Sequence, residues 1–306
     1  MQFSYPLTEN DYSLLEPYRY ICESSGKGFR NILIKAFDYW LNVGENKVKE
    51  VSEVVQGLHM ASLLINIDDF YSIDDIEDNS KLRRGNPVAH TIYGVPQTIN
   101  SANFVYFLMI DQCNRLGSPV ATSIFIEEVI RLHRGQGYDI MWRDNNRCPT
   151  EEEYMRMVSE KTGGLFRLGL RLLQTFSENK TDYSQFIEDL GLYYQIRDDY
   201  INLISVDYHS NKSFCEDISE GKFSFPIIHA INSNLNDKRL LMILKQKTED
   251  HQIKTHALDY IQKVGSIEYT RNILKKYEEK LYSQIKQLGG NPILEEMVTK
   301  LSNSSI

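Results

Sequence analysis

Apolar residues recur at intervals of three and four along most of this chain. In "NILIKAFDYWL" the residues Ile32, Leu33, Ala36, Phe37, Trp40 and Leu41 fall on one helical face, the pattern of an amphipathic helix packed on a core. "ATSIFIEEVIRLH" and "YMRMVSEKTGGLFRLGLRLLQTF" repeat it, as does "DYIQKVGSIEYTRNILKKYEEKLYSQI", whose outer face carries many charge pairs. Pro17, Pro87, Pro96, Pro119, Pro149, Pro226 and Pro292 punctuate these runs, because proline lacks the amide proton a helix interior needs. "CPTEEEYMRMV" predicts a helix start, with Thr150 as N-cap and Glu153 closing a capping box. Convincing alternation of period two is absent, and so is a strand, glycine-rich loop and helix unit, which disfavours a nucleotide-binding α/β fold. No linker, low-complexity segment or solenoid repeat stands out. The expected architecture is one all-α domain over residues 1–306, built from about ten helices.

Composition narrows the function classes. The chain has 306 residues, 42% of them hydrophobic, enough for a sizeable core. Its net charge of −8 argues against general nucleic-acid binding, which needs a basic face. The N-terminal residues lack the basic start and apolar run of a secretory signal, and no stretch approaches the roughly 20 apolar residues of a membrane span. Cys22, Cys113, Cys148 and Cys215 match no metal-binding spacing and read as reduced thiols of a cytoplasmic protein. "SANFVYFLMI" is apolar on more than one face, which asks for a partner surface and predicts a homo-oligomer, a dimer or an assembly of dimers.

Two acidic clusters carry the candidate chemistry. Asp74, Asp75 and Asp78 stand at i, i+1 and i+4, just before Gly85 and Pro87. On a helix Asp74 and Asp78 point the same way, one turn apart. Carboxylates at a helix C-terminus cost about 0.3–1 kcal/mol each against the dipole, so a positive partner is needed. Asp198, Asp199 and Asn202 in "QIRDDYINL" repeat the spacing after the apolar run "DLGLYYQI". Hard oxygen ligands in two such clusters suit Mg²⁺ bridged by phosphate oxygens. The alternative is a pair of solvated acidic helix ends. The basic residues weigh against that: Lys27 and Arg30 in "GKGFR", Arg83 and Arg84 in "KLRRG", Lys161 in "EKTGG", then Lys212 and Lys222. Arginine forks and mobile lysine ammoniums are the side chains that hold phosphate.

Taken together, these segments resemble the trans-isoprenyl diphosphate synthases, most closely the animal geranylgeranyl diphosphate synthases. "DDIEDNSKLRRGNPVAH", "GQGYDIMWRDN", "KTGGLF", "QIRDDYINL", "NKSFCEDISEGKFSFPIIHAI" and "VGSIEYTRN" stand in that family's order. The resemblance implies a single-domain helical bundle of the isoprenoid synthase type around a deep apolar cavity, with the acidic clusters facing each other across its mouth. It implies that Asp74, Asp78 and Asp198 ligate three Mg²⁺ ions, for which Mn²⁺ could substitute, with Asp75 and Asp199 in support. Arg83, Lys161, Lys212 and Lys222 would hold an allylic diphosphate, with Thr162 and Gln195 beside them. Lys27, Arg30, His59 and Arg84 would form the metal-free pocket for isopentenyl diphosphate. Tyr106, Phe107 and His133 match positions that limit chain length. The implied activity is a prenyltransferase joining isopentenyl diphosphate to farnesyl diphosphate, giving geranylgeranyl diphosphate and diphosphate. The released diphosphate is the implied base, so no activated Ser, Cys or His is required.

One segment departs from the family's pattern. "LHMASLL" ends at Leu64 and "INIDDFYSI" separates it from Asp74, about eight residues more than the pattern has. Kept helical, these would add about 12 Å and turn the two ends by about 80°. Either Asp74, Asp75 and Asp78 are the ligands and residues 65–72 bulge, or Asp68 and Asp69 take the helix end, with Ser72 where a third carboxylate belongs. Only the first joins a complete motif to Arg83 and Arg84; an artefact of the gene's reading is a third explanation. A shorter C10 or C15 product, a catalytically weakened partner subunit and a terpene synthase stay open as alternatives.

Overall fold

The structure, a computed structural model, describes residues 3–23, 28–65, 82–83, 86–204 and 214–303, with backbone alone at 65, 82, 83 and 86. Helices α1 (Glu9–Leu14), α2 (Glu16–Glu23), α3 (Phe29–Leu41) and α4 (Glu45–Ile65) come first. A two-residue antiparallel ladder pairs β1 (Leu82–Arg83) with β2 (Asn86–Pro87). Then come α5 (Ala89–Tyr93), α6 (Val95–Asn114), α7 (Ala121–Asp144), α8 (Glu151–Gln174) and α9 (Ser184–Ile204). Six more follow: α10 (Glu216–Glu220), α11 (Phe225–Asn232), α12 (Arg239–Gln246), α13 (His251–Lys263), α14 (Ser266–Gln287) and α15 (Pro292–Asn303). Among the described residues the fold is all-helical apart from the ladder. It has fifteen helices among the described residues, more than the sequence pattern predicts. Several of the extra ones, such as α1, α5 and α10, have five or six residues, too few to display a 3.6-residue period.

Local chemistry sets the helix ends. Thr150 Oγ1 accepts from the Glu153 amide at 3.2 Å and the Glu153 carboxylate accepts from the Thr150 amide at 2.8 Å, the reciprocal box that the sequence predicts before α8. Proline takes one of the first two positions in α2, α6, α11 and α15, where a missing amide proton costs nothing. In α3 the buried face is Arg30, Leu33, Ile34, Ala36, Phe37 and Leu41. Ile32, placed on that face by the sequence pattern, is exposed instead. In "ILI" either isoleucine could flank Leu33, and the i, i+4, i+7 line from Arg30 selects Ile34.

Two compact units make up the chain, Met1–His133 with Gly164–Ser184 and Arg134–Gly163 with Gln185–Ile306. The division falls within α7 and α8. In the first unit, α4 packs on α6 so closely that a methyl group on Gly57 would collide with Met109 Sδ. There too the fully buried Glu128 accepts from Arg167 Nε at 3.1 Å and Arg171 Nη1 at 2.6 Å. In the second unit, a Cβ added to Gly135 of α7 would lie 2.6 Å from the Lys161 backbone nitrogen of α8. One added to Gly191 of α9 would lie 3.2 Å from the Gly163 Cα of α8. Three helices thus meet backbone to backbone beside Lys161 and Thr162, which only glycine permits.

All four cysteines are free. Burial pushes the Cys113, Cys148 and Cys215 thiols up to about 12 and raises that of Cys22. Among the described residues no helix is long and apolar enough to cross a membrane.

Two neighbouring glycines of α7 give a paired prediction. Gly135→Ala should destabilise the protein by about 1–3 kcal/mol, since backbone atoms stand in its way. Gly137, with nothing within 4 Å of its added Cβ, should gain about 1 kcal/mol as alanine. Urea denaturation of the two variants checks the contrast.

Candidate active site

Helix α9 buries its C-terminal half, with Ile196, Arg197, Asp198, Asp199, Tyr200, Ile201, Asn202 and Leu203 all enclosed. Asp199 is 0% exposed and is saturated by donors from four places. Oδ2 accepts from Tyr154 Oη of α8 at 2.5 Å and from the Phe225 amide at the start of α11 at 2.8 Å. Oδ1 accepts from Gln195 Nε2 at 3.0 Å and Lys222 Nζ at 3.3 Å. Thr162 Oγ1 donates to Gln195 Oε1 at 2.6 Å, which turns the amide so that its NH₂ faces Asp199. Lys222 Nζ also reaches Asp217 Oδ1 at 3.4 Å, and the Asp217 amide donates to Asn202 Oδ1 at 3.3 Å.

Electrostatics explain why these groups cluster. Burial raises the Asp198 carboxyl well above the usual range, and neighbouring Asp199 and Asp217 add to the rise against the pull of Lys222 and Arg197. Burial works against the Lys222 charge, yet Asp217, Asp199, Asp198 and Glu220 together raise it well above its ordinary value. Tyr154 is raised by burial and by the adjacent Asp199 charge, so its hydroxyl stays a donor. Lys161 Nζ is engaged with the buried Asp139 at 2.8 Å. Burial pushes that carboxyl up, but Lys161, Arg143 and Lys222 outweigh it and hold Asp139 below its ordinary value.

Three carboxylates gathered around one ammonium crowd like charge into a buried place, and ionising Asp198 carries the cost. A divalent cation with oxygen preference fits this donor set. Among the described residues no group of three or more His, Cys, Asp or Glu is arranged to hold a metal alone. Mg²⁺ bound through one or two carboxylates and substrate phosphates needs no such cage.

The structure brings Asp199, Lys222, Gln195 and Thr162 into one hydrogen-bonded network with Asp198 in its field, and Lys222 also acts on Asp139, the partner of Lys161. In the first unit Arg30 and His59 are both buried, on α3 and α4, and Ser62 Oγ donates to the His59 carbonyl at 2.6 Å. Tyr106 is buried with its ring centroid 5.8 Å from that of His133. His133 itself is exposed and Phe107 is 70% exposed, because one residue along α6 turns a side chain by about 100°. Lys27, Asp74, Asp75, Asp78, Arg84, Lys212 and the extra residues at 65–72 lie outside the described residues, save the backbone at 65, and Arg83 is described by its backbone in β1. Sequence reasoning passed over Tyr154 and Asp217. Asp217 could have been found, since "CEDISEGK" sets it one short helix before Lys222; Tyr154 has no local signal.

The polyprenyl synthetase family profile matches residues 11–261. The chain belongs to the polyprenyl synthetase family. This polyprenyl synthetase is 70% identical to a geranylgeranyl pyrophosphate synthase of Dictyostelium discoideum over 306 residues, 100% of this chain and 98% of that one. It is 48% identical over 285 residues to a geranylgeranyl pyrophosphate synthase of Mucor circinelloides f. lusitanicus, covering 93% and 91% of the two chains. A Matsumurasca onukii protein named terpene synthase is 49% identical over 293 residues, 96% of this chain and 94% of that one. Prenyltransferases of this family generally use Mg²⁺.

The Asp199 network predicts a measurable cost for losing one donor. Tyr154→Phe should lower stability by about 1.5–3 kcal/mol, the worth of a hydrogen bond to a charged group, read from the urea midpoint at neutral pH.

Proposed function

We propose that this polyprenyl synthetase condenses isopentenyl diphosphate with farnesyl diphosphate to give geranylgeranyl diphosphate and diphosphate. The observation that carries the reading is identity of 70% along the whole chain with a geranylgeranyl pyrophosphate synthase. The buried carboxylate and ammonium network of α9 and Lys222 supports it chemically. The enzyme is read as one polyprenyl synthase domain over residues 1–306, acting in the cytoplasm.

Asp74, Asp78 and Asp198 are the proposed ligands of three Mg²⁺ ions, with Asp75 and Asp199 holding them in place. Bound there, Mg²⁺ supplies charge that stabilises the departing diphosphate. Lys222, Lys161, Lys212 and Arg83 bind the allylic diphosphate and share its growing negative charge as the C1–O bond breaks. Lys161 reaches it by loosening its hold on Asp139. Thr162 and Gln195 keep the Asp199 carboxylate fixed beside Asp198, the member of this doublet proposed to meet a cation. Lys27, Arg30, His59 and Arg84 orient isopentenyl diphosphate, whose double bond attacks the allylic carbon before a proton leaves to the released diphosphate.

Chain length is assigned to Tyr106, Phe107 and His133. Phe107 is exposed on a single chain and becomes part of a closed wall only when another surface covers it. A second copy of this chain is the proposed cover, because Ile99 and Phe107 of α6 and Ile126 and Ile130 of α7 expose apolar side chains on the two helices that meet at Tyr106 and His133.

A second reading is favoured by the relative named terpene synthase. Purified protein incubated with radiolabelled isopentenyl diphosphate, Mg²⁺ and each allylic diphosphate separates the two. The expected product is a C20 diphosphate, absent when chelator is added, and Asp198→Ala should lower turnover by at least roughly a hundredfold with an unchanged helical circular dichroism spectrum. Release of a hydrocarbon without incorporation would establish the second reading. The double change Phe107→Glu and Ile130→Glu should convert a dimer or larger assembly to monomer in light scattering.

A further inference from the structure

The second unit buries a lysine for which the proposed chemistry has no use. Lys254 of α13 has a side chain only 2% exposed, although lysine is almost never enclosed without a partner. Its ammonium donates to Ser219 Oγ at 2.6 Å and to Glu249 Oε2 at 3.1 Å. The Ser219 hydroxyl in turn donates to Glu249 Oε2 at 3.3 Å, so Ser219 receives the lysine and passes its own proton outward.

Ser219 lies on α10, the five-residue helix that carries Asp217 and leads into Lys222. A helix this short has no stability of its own. Both of its ends are in the left-handed region, at Cys215 (φ 47) and Gly221 (φ 71), so the chain turns sharply into it and out of it. Its place is set from outside. Asn202 takes the Asp217 amide, and Gly221 lies so close to α12 that an added Cβ would be 2.9 Å from the Leu244 carbonyl oxygen. α13 holds the outer side, through Lys254 on Ser219 and through His251 stacked on Phe214 with centroids 4.5 Å apart.

We infer that Lys254 is a positioning residue for diphosphate binding: through Ser219 it fixes α10 and thereby the place of Lys222 and Asp217. The inference rests on the reading of Lys222 as a diphosphate ligand. Losing the tether lets α10 shift while Lys222 keeps its charge, and a displacement of about 1 Å at a binding group is enough to weaken it.

The test measures binding of inorganic diphosphate in Mg²⁺ by calorimetry, together with KM for each substrate. Lys254→Met and Ser219→Ala should each weaken diphosphate roughly tenfold and raise KM for the allylic diphosphate, leaving KM for isopentenyl diphosphate unchanged. The double variant should be no weaker than either single one, and Lys254→Arg should restore most of the affinity. Wild-type affinity in Ser219→Ala would overturn the inference, even if Lys254→Met were weakened, since the loss would then come from a missing charge. Ser219→Ala removes a single hydroxyl and keeps the comparison decisive should Lys254→Met fail to fold. A wild type that binds diphosphate but makes no C20 product would instead defeat the proposed function, leaving the binding comparison intact.

Discussion

The carboxylate of Asp199 has no contact with water, and its four donors come from α8, α9, the turn at Lys222 and the first amide of α11. An ionised group in such a place is tolerated only when its lone pairs are filled. Each of these elements is therefore bound to the position of the others, and none can shift without leaving a charge short of a partner. The neighbouring Asp198 lies about 100° round the same helix, in the field of Lys222, Asp199, Asp217 and Arg197. Two identical residues in sequence thus differ, one an internal anchor and the other a carboxyl whose ionisation burial and its acidic neighbours disfavour.

Glycine supplies what the carboxylate cannot. Hydrogen bonds fix orientation, but the separation of α7, α8 and α9 is set by Gly135 against the Lys161 backbone and Gly191 against Gly163. At that spacing Thr162 reaches Gln195 and Lys161 reaches Asp139 directly. Wider helices would need a longer side chain or a water at each of these contacts. The "KTGG" segment consequently does two jobs with adjacent residues, presenting a cation and a hydroxyl and clearing the space that lets them arrive.

The long helices were legible because segments of α3, α7, α8 and α14 repeat apolar residues every three and four positions, and Thr150 and Glu153 mark a boundary that the structure reproduces. The face of α3 was read one residue astray, since Ile32 and Ile34 are chemically identical and only the line through Arg30 separates them. The short helices had too few residues to show a period. At the site, Asp198, Asp199 and Lys222 stood out as clustered charge. Tyr154 could not, because its role comes from a contact 45 residues away and nothing around it in "EEEYMRMV" hints at one. Tyr106 and Phe107 carry the same kind of signal in sequence and opposite surroundings in space, a difference that only the helix phase decides.

The four thiols have a practical consequence. Thiolate, not thiol, reacts with alkylating agents and disulfides. With three groups pushed up to about 12 and the fourth also raised, only roughly one molecule in 10⁵ carries a thiolate at any of those three at neutral pH. A cysteine placed at an exposed helical position would outpace those three by a wide margin. A spectroscopic probe could then be attached at one chosen point without first replacing Cys113, Cys148 or Cys215.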